Sequence, residues 1–584
     1  MKNRKLLKTW GLLASTTMLV PLVAGSLGGG PVAEAAPLNT TTDIVINKVV
    51  YDVNALPEGV GVNENGQVTG EKENDGSLGT ANNFFGNAKR LDEVEFTMYD
   101  VTDKYWSTLG TENGDDGTHT MDTTFEAIKT GGTSELTKID VQKTKDGGKA
   151  TFENVPDYAQ EGDHEGKNSV YLIAETDAPP FTANWSVPIV VMLPFYNEES
   201  EKIDVFNLFP KNTETGIDKS LNPDQKTEKT VNMPDPDNEG QMISVSVYDY
   251  EKGMDINYDI EFMVPLNINA DIEDNGKITK LYTRFTIVDT PTENLGFKEL
   301  ANEAIEVYDS EKEEWVSAEL VENIDYTLSK NTDDTGFTVT FSMEQATLTK
   351  LGTHAGKQMR INYTMTLLTD STPLQFEDNE ATVNFTHNGN PYHDTDEGEP
   401  VIPGGRHFYK YDGSKAENST SVAGAEFVVG KTVDNETTYA VFKNEDGDPL
   451  DDERVNTSTV GGAASIEWTT DKESATRIIS AADGKFSVDA LEYGNYFVEE
   501  IKAASGFVLP NDPITDFEVS ATSFADTVNN PDEVQFADPE EIANYPKGTL
   551  PSTGGTGIFA FLAIGTALMM GAYLWFKNSK KQEV

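Results

Sequence analysis

Ile44-Val45-Ile46-Asn47-Lys48-Val49-Val50-Tyr51 is a run of β-branched and aromatic residues, and it reads as a strand. Period-two geometry puts Ile44, Ile46, Lys48 and Val50 on one face. Three of these belong in a core. The fourth carries a charge that is costly to bury unless it is neutralised or paired. Taken alone, the stretch favours a lysine that runs its stem along the sheet and keeps its ammonium wet at an edge. Similar runs recur outward from it. In Val205-Phe206-Asn207-Leu208-Phe209-Pro210-Lys211-Asn212, alternation points Asn212 inward with Phe206 and Leu208 and Lys211 outward. In Asn379-Glu380-Ala381-Thr382-Val383-Asn384-Phe385, it points Asn379 inward with Ala381, Val383 and Phe385. Short runs bounded by Gly, Asn, Asp and Pro, with no periodic helix between the termini, predict an all-β chain of tandem immunoglobulin-like β-sandwiches.

Composition narrows the function. The 584 residues suggest three or four domains. A net charge of −55, from 99 acidic and 44 basic residues, argues against nucleic acid or an anionic membrane as partner. There is no cysteine, so either large cores suffice or another covalent device replaces disulfides. The 28 Phe and 21 Tyr are enough for packed domains. The six histidines show no HExxH or other zinc spacing, and neither Gly-x-Ser-x-Gly nor a phosphate loop is present. No enzyme activity, cofactor or metal is expected. Asp446-Gly447-Asp448 with Asp451-Asp452, and Asp271 with Asp274-Asn275-Gly276, lack EF-hand spacing and read as solvated acidic loops rather than calcium sites.

Both termini carry targeting features. Lys2, Arg4, Lys5 and Lys8, the apolar Trp10–Val23 and Ala33-Glu34-Ala35 predict a signal peptide over residues 1–35, with a mature start at or near Ala36. Near the other end stand Leu550-Pro551-Ser552-Thr553-Gly554, the apolar run Gly557–Phe576 and a lysine-rich tail. The run is long enough to span a bilayer, and the lysines would stop translocation. This order resembles the LPXTG cell-wall sorting signal of Gram-positive bacteria. The resemblance implies a transient membrane anchor, attack by a sortase cysteine on the Thr553 carbonyl, and covalent attachment to peptidoglycan.

Three further resemblances cover the remaining chain. Tyr171-Leu172-Ile173-Ala174-Glu175-Thr176-Asp177-Ala178-Pro179 resembles the E-box, and Val205–Asn212 the pilin motif, of shaft pilins assembled by class C sortases, with Phe209 in place of the usual tyrosine. This covers 37–212. Residues 213–400 resemble the fimbrial isopeptide-forming, collagen-adhesin A-type (CnaA-like) domain. There Lys219 and Asn379 would be joined with the help of Asp289, with Asp259 the second choice of acid. Residues 401–548 resemble the collagen-adhesin B-type (CnaB-like) module through Lys410-Tyr411-Asp412, Gly424-Ala425-Glu426-Phe427 and an E-box at Tyr496–Phe507. Alignment on Gly506 makes Glu500 the acid, joining Lys410 to Asn544, and leaves Glu499 facing solvent. In the first domain the corresponding set is Lys48, Glu175 and Asn212.

The chemistry implied is self-catalysed amide formation. Burial lowers a lysine pKa and raises that of a nearby carboxyl. The protonated acid would hydrogen-bond the asparagine carbonyl, the lysine would attack, and ammonia would leave. A bond closing a loop as long as Lys48 to Asn212 would be worth roughly 5 kcal/mol through the unfolded state. The resemblance also implies head-to-tail polymerisation, in which Lys211 of one subunit resolves the acyl-enzyme at Thr553 of the next. The partners are then identical subunits, minor pilins, a class C sortase, and a housekeeping sortase that passes the fibre to peptidoglycan. Tyr545-Pro546-Lys547 also spells the pilin tripeptide, but it sits beside the sorting signal, so Lys211 is the preferred acceptor. A monomeric wall-anchored adhesin and a minor pilin are the rival readings.

Overall fold

The computed structural model describes residues 40–52, 61–62, 68–69, 88–109, 121–182, 185–196, 200–214, 216–222, 228–234, 241–274, 277–332, 335–415, 420–450, 459–460, 462–525, 536–548 and 556–579. The expected signal peptide and the pentapeptide Leu550–Gly554 lie outside them, as do Asn275, Gly276, Asp451 and Asp452 of the acidic loops. Among the described residues, strand pairing stays within three stretches of chain: 41–214, 218–402 and 404–546.

In the first stretch the opening strand, Thr41–Asn47, lies between Val205–Leu208, which runs parallel to it, and the antiparallel Lys149–Pro156. The chain steps at Lys48 and continues as Val49–Asp52, paired in parallel with Lys211–Glu214. The closing strand breaks at the same level, at Phe209-Pro210, because proline has no N–H to give a ladder; its carbonyl instead accepts from Val49 N at 3.1 Å. A second sheet, in the order Ile189–Met192, Val170–Asp177, Glu95–Asp100, Thr137–Lys143, closes a core around Ile44, Ile46, Phe96, Phe152 and Phe206.

The second stretch holds two five-stranded sheets. One runs Asp218–Leu221, Ile256–Met263, Gln358–Leu367, Leu295–Asp309, Glu314–Ser317, and the other Tyr326–Lys330, Phe337–Phe341, Tyr282–Pro291, Asn379–His387, Asn390–Glu397. Their facing residues alternate as period two requires: Met359, Ile361, Tyr363, Met365 and Leu367 are all buried, as are Asn379, Ala381, Val383 and Phe385. In the third stretch Gly404–Asp412 pairs in parallel with the closing strand Glu540–Pro546, opposite a larger sheet centred on Glu426–Val433 and Gly494–Lys502. Side chains tie the units together. His387 Nε2 lies 3.0 Å from Asp177 Oδ1, Tyr493 N donates to Asp249 Oδ2 at 2.6 Å, and Trp468 Nε1 donates to Glu251 Oε2 at 2.9 Å.

Among the described residues, three helices correct the expectation of none between the termini. Thr102–Leu109 and Met121–Thr130 pack Tyr105 and Ile128 on the outer face of the Val170–Asp177 sheet, and Gln345–Gly352 buries Leu348 and Leu351. Met121, Phe125 and Ile128 do recur at helical spacing. A helix of 10 residues offers too few turns for that pattern to stand out. A further helix spans Thr556–Ser579 and presents exposed Leu568, Met569, Met570, Tyr573 and Trp575. The expected transmembrane segment over 557–576 gains no support, since no helix is long and apolar enough among the described residues to cross a membrane.

Candidate functional site: three buried lysine–acid–asparagine sets

Each unit buries one lysine completely, Lys219 and Lys410 on the opening strand and Lys48 at the step that ends it. Lys48, Lys219 and Lys410 all have zero relative exposure. Each ammonium sits against aromatic rings: Phe96 at 5.7 Å, Tyr258 and Tyr363 both at 5.5 Å, and Phe427 at 5.4 Å. The wet-edge placement of Lys48 is therefore not adopted. A charge so placed needs a partner, and each has one.

In the first unit Lys48 Nζ lies 2.9 Å from Glu175 Oε2 and 2.5 Å from Asn212 Oδ1. Asn212 Nδ2 donates to Glu175 Oε1 at 2.7 Å, and Ser186 N donates to Oε2 at 2.9 Å. The third unit repeats the triangle. Lys410 Nζ is 2.7 Å from Glu500 Oε2 and 2.5 Å from Asn544 Oδ1, and Asn544 Nδ2 donates to Glu500 Oε1 at 2.7 Å. The recurrence has a backbone cause. In both units the opening and closing strands run parallel. Val49 lies beside Lys211 in the first and Lys410 beside Ile542 in the third, so each asparagine sits two residues beyond the neighbour of its lysine. Two residues along a strand is the same face.

The second unit is built differently. Lys219 lies on an edge strand of one sheet and Asn379 in the other sheet, so the pair faces across the sandwich. Lys219 Nζ contacts Asp289 Oδ1. The Tyr363 hydroxyl donates to Asp289 Oδ1 at 2.7 Å and accepts from Asn379 Nδ2 at 3.2 Å. Asp289 Oδ2 and Asn379 Oδ1 are buried without a hydrogen-bond partner. Gly398 makes the room, since a Cβ there would stand 3.3 Å from both Lys219 Cγ and the Tyr258 ring. The second choice of acid, Asp259, is turned the other way and lies 3.5 Å from Arg360.

Burial sets the electrostatics. It pushes Lys219 down to about 8 against the opposing pull of Asp289, and it pushes Asp289 up against Lys219, Tyr363 and Asn379. Lys48 and Lys410 are lowered for the same reason, against Glu175 and Glu500 respectively. The neighbouring Lys211 charge pushes Lys48 further down. Low-dielectric surroundings thus favour the neutral lysine in all three units, the form in which an amine is nucleophilic, and in the second unit the protonated acid as well.

Four expectations are revised. First, Lys211 does not point outward: it is only 8 % exposed. The strand break at Pro210 shifts the alternation, so Phe209, Lys211 and Asn212 are all buried. Lys547, by contrast, is exposed. Second, Glu499 has the opposite parity to Glu500 but does not face open solvent, because Lys472 donates to it at 2.9 Å and the Tyr439 hydroxyl at 3.3 Å. Third, the acids of the first and third units accept from the asparagine nitrogen instead of donating to its carbonyl. Fourth, Tyr363 was missed by the sequence reading. Its signal was an inward tyrosine in a strictly alternating strand, a position where the hydroxyl requires a partner.

Comparison with known proteins matches residues 39–213 to the N-terminal domain of the Gram-positive pilin subunit, D1. That span contains Lys48, Glu175, Lys211 and Asn212. Residues 543–584 match the LPXTG cell wall anchor motif. The chain thus carries a Gram-positive pilin N-terminal domain and an LPXTG cell wall anchor motif. Residues 408–533 match a prealbumin-like fold domain. No curated protein matches the chain. Among solved structures, it is similar to the full-length major pilin SpaD from Corynebacterium diphtheriae (19% identity, 88% of this chain and 99% of that one, TM-score 0.39). It is also similar to RrgB from Streptococcus pneumoniae (18%, 89% and 100%, 0.41) and to BcpA, the major pilin subunit of Bacillus cereus (14%, 87% and 99%, 0.36). With a pilin domain and this anchor, it is a surface protein attached to the cell wall. Among the described residues, no group of three or more His, Asp or Glu could hold a metal ion.

Proposed function

We propose that this chain is the shaft subunit of a covalent pilus and that each unit is closed by its own lysine–asparagine amide. The observation that carries this reading is the pair of matching triangles in the first and third units. In each, one carboxyl oxygen faces the nucleophile and the other faces the leaving nitrogen. The acid can therefore take a proton from lysine Nζ as that nitrogen bonds to the asparagine Cγ. It returns a proton through its other oxygen to Nδ2 as the Cγ–Nδ2 bond breaks. Lysine loses one hydrogen, ammonia carries it away, and the carboxyl ends as it began. Each set reacts once, so the subunit is a structural protein and not an enzyme.

Polymerisation follows from the anchor. A class C sortase forms a thioester at Thr553, and a lysine of the neighbouring subunit resolves it. A housekeeping sortase passes the finished fibre to peptidoglycan. Lys211 is the acceptor by its place in the pilin motif, and its low exposure means that its surroundings must move before an enzyme reaches it. One observation favours a second acceptor: Lys547 is already exposed. Immunoblots of wall extracts boiled in SDS test the polymer. A ladder of subunit multiples is expected, and a single monomer band would return the chain to a monomeric adhesin.

A further inference from the structure

Asp289 is one methylene shorter than Glu175 and Glu500, and the second unit makes up the difference with a tyrosine. In the other two units the carboxyl hydrogen-bonds both reacting nitrogens itself. Asp289 contacts the nucleophile, but its hydrogen-bonded path to the asparagine runs through Tyr363. The hydroxyl lies 2.7 Å from Asp289 Oδ1 and 3.2 Å from Asn379 Nδ2. Tyr363 is buried. Its ring is held by stacking on Tyr258 at 5.8 Å and by an edge contact with Phe337 at 4.9 Å, so the hydroxyl has a fixed direction.

We propose that Tyr363 is a proton relay for closure of the Lys219–Asn379 amide, standing between Asp289 and the leaving nitrogen. This rests on the cross-linking function proposed above. As Lys219 Nζ bonds to Asn379 Cγ, the amide nitrogen becomes tetrahedral and basic, and it takes the Tyr363 hydroxyl proton. The neutral Asp289 carboxyl re-protonates the phenolate oxygen. The carboxylate so formed takes the proton from Lys219 Nζ as the Cγ–Nδ2 bond breaks and ammonia leaves. Tyrosine and aspartate end as they began, and the net transfer is one hydrogen from the lysine nitrogen to ammonia. Two short side chains in series thus replace one glutamate.

The test uses the chain from residue 36 to 549, sampled over time after a pulse of synthesis and read by tryptic mass spectrometry. The branched peptide joining Lys410 to Asn544 serves as a clock within the same molecule. Tyr363→Phe keeps the ring and its packing but removes the relay. The Lys219–Asn379 branch should then form about a hundredfold more slowly relative to the clock, at the low end of the range for a positioned acid or base. Adding Asp289→Glu to Tyr363→Phe places a longer carboxyl in the space the hydroxyl leaves, and closure should recover. Closure of Tyr363→Phe at the wild-type rate overturns the relay. So does slow closure that the double variant fails to restore, because a purely structural loss behaves that way. Absence of the branch from the wild type, with the clock branch present, overturns cross-linking in this unit altogether.

Discussion

Replacing Glu500 with alanine isolates what the acid of the third unit does. The change deletes the oxygen 2.7 Å from Lys410 Nζ and the one that accepts from Asn544 Nδ2 at 2.7 Å, and it leaves both reacting side chains in place. The amide should then fail to form. Lys410 and Asn544 are 134 residues apart, and cross-linking a loop of that length removes about 5 kcal/mol of chain entropy from the unfolded state. For a unit of this size that corresponds to a fall on the order of 15 °C in its melting transition. Glu499→Ala is the control. It removes the Lys472 and Tyr439 contacts but touches neither reacting group, so its cost is about 1 kcal/mol and the amide survives. Calorimetry of residues 36–549 gives the transition, and tryptic mass spectrometry gives the branched peptide joining Lys410 to Asn544. Equal branched-peptide yields in Glu500→Ala and wild type would refute the proton-transfer role. Loss in Glu499→Ala with retention in Glu500→Ala would assign the acid to the wrong residue.

Three further outcomes are expected. Intact-mass measurement of residues 36–549 should fall short of the sequence by three ammonias, and a mass equal to the unmodified chain removes the cross-links from the account. In cells with the cognate sortase, Lys211→Ala should leave monomer only; a surviving ladder that Lys547→Ala abolishes moves the acceptor to the exposed site. In Asn379→Ala, where no second-unit amide can close, Lys219 stays ionisable, with a folded value of about 8 against an unfolded one near 10.4. Between those values the unfolded chain binds more protons, so stability should rise with pH from about 8 to 10 by about 1–3 kcal/mol relative to Asn379→Ala/Lys219→Met. A flat difference in thermal melts would mean that burial does not neutralise Lys219.

The reacting residues were legible because they combine two kinds of information. Period two assigns Lys48, Asn212 and Asn379 to inward faces, and the E-box registers pick Glu175 over its neighbours and Glu500 over Glu499. Alternation then fails where a strand is interrupted. Nothing local announces that the break at Pro210 buries Lys211, because that depends on Val49 taking the Pro210 carbonyl from a strand far away in sequence. Glu499 was misjudged for a related reason: parity gives a side, and only tertiary packing brings Lys472 and Tyr439 to that side. Tyr363 lies outside every motif and acquires a role only when two sheets face each other. The helix Met121–Thr130 shows the limit of periodicity in short elements.

The parallel pairing of opening and closing strands decides which parts of the subunit feel tension. With Lys211 as acceptor, a pull from the preceding subunit enters one residue before Asn212 and leaves at Thr553. With the proposed amides closed, force would then run along 211–219, cross the sandwich at Lys219–Asn379, follow 380–410, cross again to Asn544 and exit. The whole first unit before Lys211 hangs beside this path. Its proposed amide would carry none of the load and would serve instead to keep the strand that bears the acceptor from peeling away. Between the first two units only residues 213–218 separate Asn212 from Lys219, a span of about 25 Å even when drawn straight. The larger reserve of contour length is 380–409, whose strands Asn390–Glu397 and Val401–Ile402 lie between the second and third amides. A stretched fibre would lengthen there, by unzipping the edge of the second unit, while every core stays shut.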